Sequence, residues 1–177
     1  MNGIILYGSQ YGAALQYAQA LEVRTGLPAL PYDQVKDLGS YDTIVYIGGL
    51  YAGKTMGLAK TVTKLPTDHP FPLLVATAGL TSPDSEEGLT VIRKSLVKEL
   101  SPGIFARTVH VHLPGAIDYQ ILSFQHRMML KAFCAMLRRQ SQPTRSADAQ
   151  AMLDSYGKSV DAIDFDALKP ILAWLGE

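Results

Sequence analysis

Short β-rich apolar runs alternate with amphipathic stretches through residue 113. Gly3 to Tyr7 is apolar at nearly every position and ends in the turn-forming Gly8-Ser9, the pattern of a strand buried on both faces. A helix is predicted directly after it, because Ala14, Ala18 and Leu21 recur at helical spacing and Gly26 with Pro28 supplies a stop. A weak strand is predicted near Leu27 to Leu30. A clearer one runs from Thr43 to Ile47, followed by a glycine-rich loop from Gly48 to Gly57. Phe71 to Thr77 reads as a further strand. In the next helix Asp84 and Ser85 can cap the start, Glu86 and Glu87 suit the first turn, and Leu89, Ile92, Leu96 and Leu100 line one face. Pro102-Gly103 ends it. Arg107 to Leu113 alternates Val109, Val111 and Leu113 on one face with His110 and His112 on the other.

Strands alternating with helices, joined by connections too long for hairpins, point to a parallel sheet covered on both faces by right-handed crossovers. Beyond Leu113 the pattern changes. Tyr119 to Arg139 reads as one long Met-rich helix and Gln140 to Gln150 as a polar connection. A short closing helix carries Leu168, Ile171, Leu172 and Leu175 on one face, with regular hydrogen bonding expected only after Pro170. There is no internal repeat and no sign of a second unit, so residues 1–177 read as a single domain.

Composition narrows the functional classes. Apolar residues make up 47% of the chain and charged residues 18%, which suits a globular core and excludes long disorder. Lys plus Arg equals Asp plus Glu at 16 each, so the whole chain offers no net attraction to nucleic acid or anionic lipid, and nucleic acid is not expected as a partner. Cys134 stands alone, which excludes an internal disulfide and any multi-cysteine metal site and suits a reducing cytoplasm. The amino terminus lacks the pattern of a secretion signal, and no run approaches the ~18 apolar residues of a membrane span.

In doubly wound sheets ligands settle at the carboxyl ends of the strands. The first such loop is Ser9-Gln10-Tyr11-Gly12-Ala13-Ala14, opening a helix; its free amides and the helix dipole suit a phosphate, and Gly12 permits close backbone approach. An ordinary strand-to-helix turn is the alternative. Gly48-Gly49-Leu50-Tyr51-Ala52-Gly53-Lys54-Thr55 matches the nucleotide P-loop pattern letter for letter, with Lys54 as the phosphate-binding lysine. Yet neither Phe71 to Thr77 nor Arg107 to Leu113 ends in the Asp that such a site needs for magnesium. The same loop offers Tyr51 as an aromatic face and Gly53 as a reorientable peptide. Thr77-Ala78-Gly79-Leu80 supplies small residues that can wall a flat ligand. His110 and His112 share a strand face but lack a third metal ligand, so they are expected to be a satisfied polar pair; His69 is expected at the surface.

The order of strand, phosphate-type loop, helix, and aromatic glycine loop after the next strong strand resembles the flavodoxins. Along most of its length the chain is similar to the flavodoxin-like protoporphyrinogen oxidases that deliver electrons to quinones, and to the flavodoxin-domain proteins grouped with them. Gly115-Ala116-Ile117-Asp118-Tyr119 and Arg127-Met128-Met129-Leu130-Lys131 resemble that family's Gly-Ala-Leu-x-Tyr and Asp-Arg-x-Met-x-Lys stretch, and Asp164-Phe165 its Thr-Asp-Trp entry to the closing helix. The resemblance implies a three-layer αβα fold with a five-stranded parallel sheet in the order 2-1-3-4-5 and a helical insertion over about residues 114–163. It also implies FMN, its phosphate held by Ser9, Gln10, Tyr11, Gly12, Ala13 and Ala14. Gly49, Leu50, Tyr51, Ala52, Gly53 and Lys54, with Thr77, Ala78, Gly79 and Leu80, would embrace the isoalloxazine, and Tyr51 would stack on it. The reaction would be reversible transfer of electrons or hydride through the flavin, with no catalytic acid–base residue. A quinone-dependent protoporphyrinogen oxidase-like dehydrogenase is the runner-up within this reading, and a P-loop enzyme using Lys54 or a flavodoxin-shaped module without cofactor are the other classes.

Redox partner proteins or a quinone follow as partners. Tyr119 to Arg139 carries more apolar surface than one stripe needs, beside Arg127, Lys131, Arg138 and Arg139, so it can be buried or can meet a membrane surface or a second chain. The expected location is cytoplasmic, with the inner face of the membrane in reach.

Overall fold

The computed structural model describes residues 2–65, 72–142 and 145–177. The apolar runs become β1 (Gly3–Gly8), β2 (Ala29–Pro31), β3 (Thr43–Tyr51), β5 (Leu73–Gly79) and β6 (Thr108–Pro114), with a two-residue β4 (Lys54–Thr55) between the third and fourth of these. All five longer strands are parallel, in the order β2-β1-β3-β5-β6, which is the 2-1-3-4-5 order the resemblance implies. Register places Ile5 beside Val45, Val45 beside Leu74 and Leu74 beside Val109.

Both sheet faces are covered, which is why the strands read as unbroken apolar runs. Helix α1 (Ala13–Thr25) and the closing α7 (Lys169–Leu175) lie on one face, where Tyr17, Ala18, Leu21, Ile171 and Leu175 pack on Ile5, Val45 and Leu74. On the other face Ile92, Leu96 and Leu100, from α3 (Glu86–Glu99) and its C-cap, join Leu58 of α2 (Leu58–Val62) against Ile4, Leu6, Tyr46 and Val75. Ser85 caps α3 by accepting the Gly88 N–H at 3.0 Å, the role expected of it.

Several boundaries move, each for a physical reason. Strand β3 continues through Gly48 and Gly49 to Tyr51 because the glycines pair with Gly8, Thr77 and Ala78. A Cβ on Gly48 would lie 2.3 Å from Thr55 Cγ2, so glycine there marks close packing and not a loop. The expected Gly48 to Gly57 loop is instead a hairpin, turned at Ala52 and Gly53 with φ of 50° and 73°, the left-handed pair of a tight two-residue turn. Pro102 opens a short helix, α4 (Pro102–Phe105), and Pro170 sits in the first turn of α7, where it is tolerated. Phe71 and His69 lie outside the described residues.

After β6 the chain forms β7 (Ala116–Asp118), α5 (Phe124–Arg138), α6 (Ala147–Ser155) and β8 (Ser159–Asp161), then a 3₁₀ turn (Phe165–Leu168) into α7. The expected single helix from Tyr119 starts only at Phe124, because Ser123 caps it by accepting the His126 N–H. Helix α6 begins inside the expected polar connection, capped by Ser146. Strands β7 and β8 pair antiparallel and close the insertion at its base. Asp148 of α6 accepts from the Ser85 hydroxyl and so ties the insertion to the start of α3.

Candidate functional site

The site is built where β1 meets α1. Gly12, at φ 98°, caps α1 in a left-handed conformation that L side chains rarely adopt; its carbonyl accepts the Gln16 N–H at 2.9 Å and its own N–H reaches Ser9 Oγ at 3.1 Å. No side chain caps this terminus. The amides of Ala13, Ala14 and Leu15 therefore have no acceptor within the helix and carry the positive end of its dipole. The Ser9 hydroxyl accepts from Gly12 and keeps its own proton to donate. Ala14 is 1% exposed as a whole residue and packs in the core against the sheet, so it has no hydroxyl to offer an anion and only its backbone could take part.

Two further strand ends border this turn. From β3, the Tyr51 ring lies against Gly49, where a Cβ would be 2.8 Å from its edge, and the Tyr51 hydroxyl accepts the Gln10 N–H at 3.3 Å. Burial raises the pKa of this phenol, which keeps it protonated. From β5, Gly79 packs on Leu50, and its carbonyl accepts the Gly115 N–H at 2.7 Å. This arrangement offers amides and a hydroxyl to an anion, next to an aromatic face with glycine beneath it. A family model described as "Flavodoxin domain" matches residues 4–144, which takes in the sheet, this turn and α5. The chain belongs to the flavodoxin-domain family. The comparison with curated proteins finds no match. Members of the family usually bind FMN, and the residues present fit such a group: unsatisfied first-turn amides and the Ser9 O–H for a phosphate, Tyr51 for a flat ring.

Not every expected residue of this flavodoxin domain meets at one place. Ser9, Gln10, Tyr11, Gly12, Gly49, Leu50 and Tyr51 are linked by hydrogen bonds or packing to the turn and the strand ends beside it. Ala52, Gly53 and Lys54 form an exposed hairpin tip tied to α3. The Gly53 carbonyl accepts from the Ser95 hydroxyl, and the Thr55 N–H is held by both carboxylate oxygens of Glu99 at 3.0 and 3.1 Å. Gly53 is thus a turn residue whose carbonyl is engaged by Ser95. The P-loop reading of Lys54 fails on the same geometry, because a P-loop needs a nest of free amides and a carboxylate already occupies the Thr55 N–H. Thr77 and Ala78 are buried, and the Thr77 hydroxyl is hydrogen-bonded to His112 Nδ1 at 2.8 Å, so only Gly79 and Leu80 of that group reach the surface.

His112 donates from Nε2 to the Thr81 carbonyl at 3.0 Å, and burial holds its pKa below the ordinary value. His110 stacks on Phe105 with centroids 4.5 Å apart and is lowered by burial and by Arg93; its Nε2 is buried with no hydrogen-bond partner, so only His112 is satisfied. Among the described residues no group of three side chains could hold a metal ion.

Sequence reasoning missed what lies across from Tyr51. The Tyr11 hydroxyl accepts the Ser123 N–H at 3.2 Å and hydrogen-bonds His126 Nδ1 at 2.5 Å, which joins the first turn of α5 to the phosphate-type loop. The His126 ring lies nearly parallel to Tyr51, with centroids 5.9 Å apart and planes 10° apart. No spacing in the sequence signals this contact, since Tyr11 and His126 are 115 residues apart.

Helix α5 buries Cys134 and Leu137 and leaves its opposite side apolar and open. Phe124 is 77% exposed and Met136 54%, with Met128, Met129 and Phe133 also exposed. Among the described residues no helix is long and apolar enough to cross a membrane.

Proposed function

We propose that this flavodoxin domain binds one FMN non-covalently and carries electrons or hydride between redox partners. The observation that carries the reading is the uncapped first turn of α1, whose amides, with the Ser9 hydroxyl, face no competing side chain. The phosphate would take the amides of Ala13, Ala14 and Leu15 and the Ser9 O–H. The Gln10 N–H, which the Tyr51 hydroxyl accepts at 3.3 Å, would tie the phosphate loop to the ring wall. Tyr51 would offer its face to the ring, with Gly49 and Leu50 behind it and Gly79 and Leu80 at the edge. A bound flavin supplies reversible one- and two-electron chemistry, while the protein's part is to hold and orient it and to exclude water. The absorbance spectrum of protein purified from cells tests this: a flavin spectrum released on denaturation supports it, and a colourless protein that takes up no added FMN refutes it.

A quinone as electron acceptor is the second reading, favoured by the open face of α5. Residues 124–139 contain no acidic side chain and carry Arg127, Lys131, Arg138 and Arg139. Exposed Phe and Met side chains flanked by such cations suit an anionic lipid surface, where quinones reside. A second copy would instead meet like charge on this helix. Weak, salt-sensitive co-sedimentation with anionic vesicles is expected, lost in Arg138→Glu plus Arg139→Glu; a wild type that ignores such vesicles at low salt leaves a diffusing protein partner in place of the quinone.

A further inference from the structure

Of the three strand ends that border the site, only β3 presents an aromatic face. The β5 end offers no aromatic wall: Thr77 and Ala78 are buried, and only Gly79 and the aliphatic Leu80 reach the surface there, at the ring's edge. A flat ring resting on Tyr51 would therefore meet solvent on its other face unless another element closes over it. His126 is the group in that position. Its ring faces Tyr51 at 5.9 Å between centroids, 10° from parallel. A ring held between two others needs about 7 Å, twice an ordinary ~3.5 Å contact, so the pair must part by at least about 1 Å.

We propose that His126 is the second wall of the ring site, contributed by the insertion helix α5, and that Tyr11 is its positioning residue. The proposal rests on the FMN reading above and adds to it the residue that closes the site. The Tyr11 hydroxyl accepts the Ser123 N–H at 3.2 Å and hydrogen-bonds His126 Nδ1 at 2.5 Å, so it anchors the first turn of α5 and the His126 ring together. This bond fixes the orientation of the His126 ring against Tyr51. Tyr11 makes T-shaped contacts with both partners, 5.8 Å from Tyr51 and 5.6 Å from His126, and so braces the pair from the side. The insertion thus has a function at the site besides packing.

The test is titration of apoprotein with FMN, read by affinity and by quenching of flavin fluorescence, for wild type and for His126→Ala, His126→Phe and Tyr11→Phe, alongside the melting temperature of each apoprotein. Wild type is expected to bind with strong quenching. His126→Ala should bind about tenfold more weakly, within the range for loss of one stacked aromatic, and quench less. His126→Phe should recover most of both, and Tyr11→Phe should fall between. If wild type binds and quenches but His126→Ala matches it, the wall is not His126 and the FMN reading stands. If His126→Ala loses affinity and His126→Phe does not recover it, or if affinity falls only in step with apoprotein melting, His126 is structural and the proposal is overturned. If wild type binds no FMN, both readings fail together.

Discussion

Replacing Gly115 by Ala probes the joint where the sheet hands over to the insertion. The new Cβ would lie 2.8 Å from Gly79 Cα and 2.9 Å from Gly79 N and C, all backbone atoms. Ordinary carbon contacts begin near 3.5 Å, so the two segments must part by roughly 0.6 Å or more. Neither can yield easily. Gly79 is held in register opposite Pro114 and accepts the Gly115 N–H at 2.7 Å, while the Gly115 carbonyl accepts from Ala162 at 3.1 Å. Forced overpacking of this kind costs about 1–3 kcal/mol, which for a chain of this size lowers the melting temperature by roughly 2–12 °C. Gly103→Ala is the internal control: no atom lies within 4 Å of its Cβ position, its φ is not positive, and it sits in α4. There the substitution should be neutral or raise stability by a few tenths of a kcal/mol to about 1 kcal/mol. Thermal unfolding followed by circular dichroism compares the two. A Gly115→Ala protein that melts at or above wild type would refute the reasoning.

Two further outcomes are expected. Glu99→Ala leaves the Thr55 N–H without its acceptor at a residue 3% exposed, which should cost about 1.5–3 kcal/mol, with Glu99→Gln losing less; urea unfolding midpoints equal to wild type would show that the hairpin does not depend on α3. Burial lowers the His112 pKa from 6.5, so the unfolded chain binds the proton more readily than the folded one. The stability this neutral histidine supports is complete above about pH 6.5 and is lost as pH falls from there through the folded pKa. His112→Gln should flatten the slope of stability against pH in that window, and an unchanged slope would assign it to other groups.

The central strands were legible because burial on both faces leaves no polar interruption: Ile4, Ile5 and Leu6 are each fully buried, on alternating sides of one strand. Glycine misled where it serves packing, as at Gly48 and Gly49, since the same residue marks a turn or a close approach and only the third dimension distinguishes them. The β7–β8 ribbon was illegible for a different reason. Three-residue strands carry too little pattern, and their pairing is fixed by a partner more than 40 residues away, Ile117 opposite Val160. In the site, the glycine-bearing strand-to-helix turn announced itself locally, whereas Thr77 read as a wall residue until its register opposite His112 turned the hydroxyl toward β6. Gly53 and Lys54 followed a motif whose letters a hairpin can also spell.

The central claim is that the first turn of α1 holds the phosphate of a flavin, and calorimetric titration of the apoprotein with FMN and, separately, riboflavin tests it most directly. The two ligands share the ring and differ in the phosphate, so their difference isolates the turn. Hydrogen bonds to a charged acceptor contribute about 1.5–3 kcal/mol each, so two of them make FMN the tighter ligand by roughly a hundredfold or more. The expected result is one FMN per chain with riboflavin weaker by at least that factor. No FMN binding, or equal affinity for the two, would contradict it.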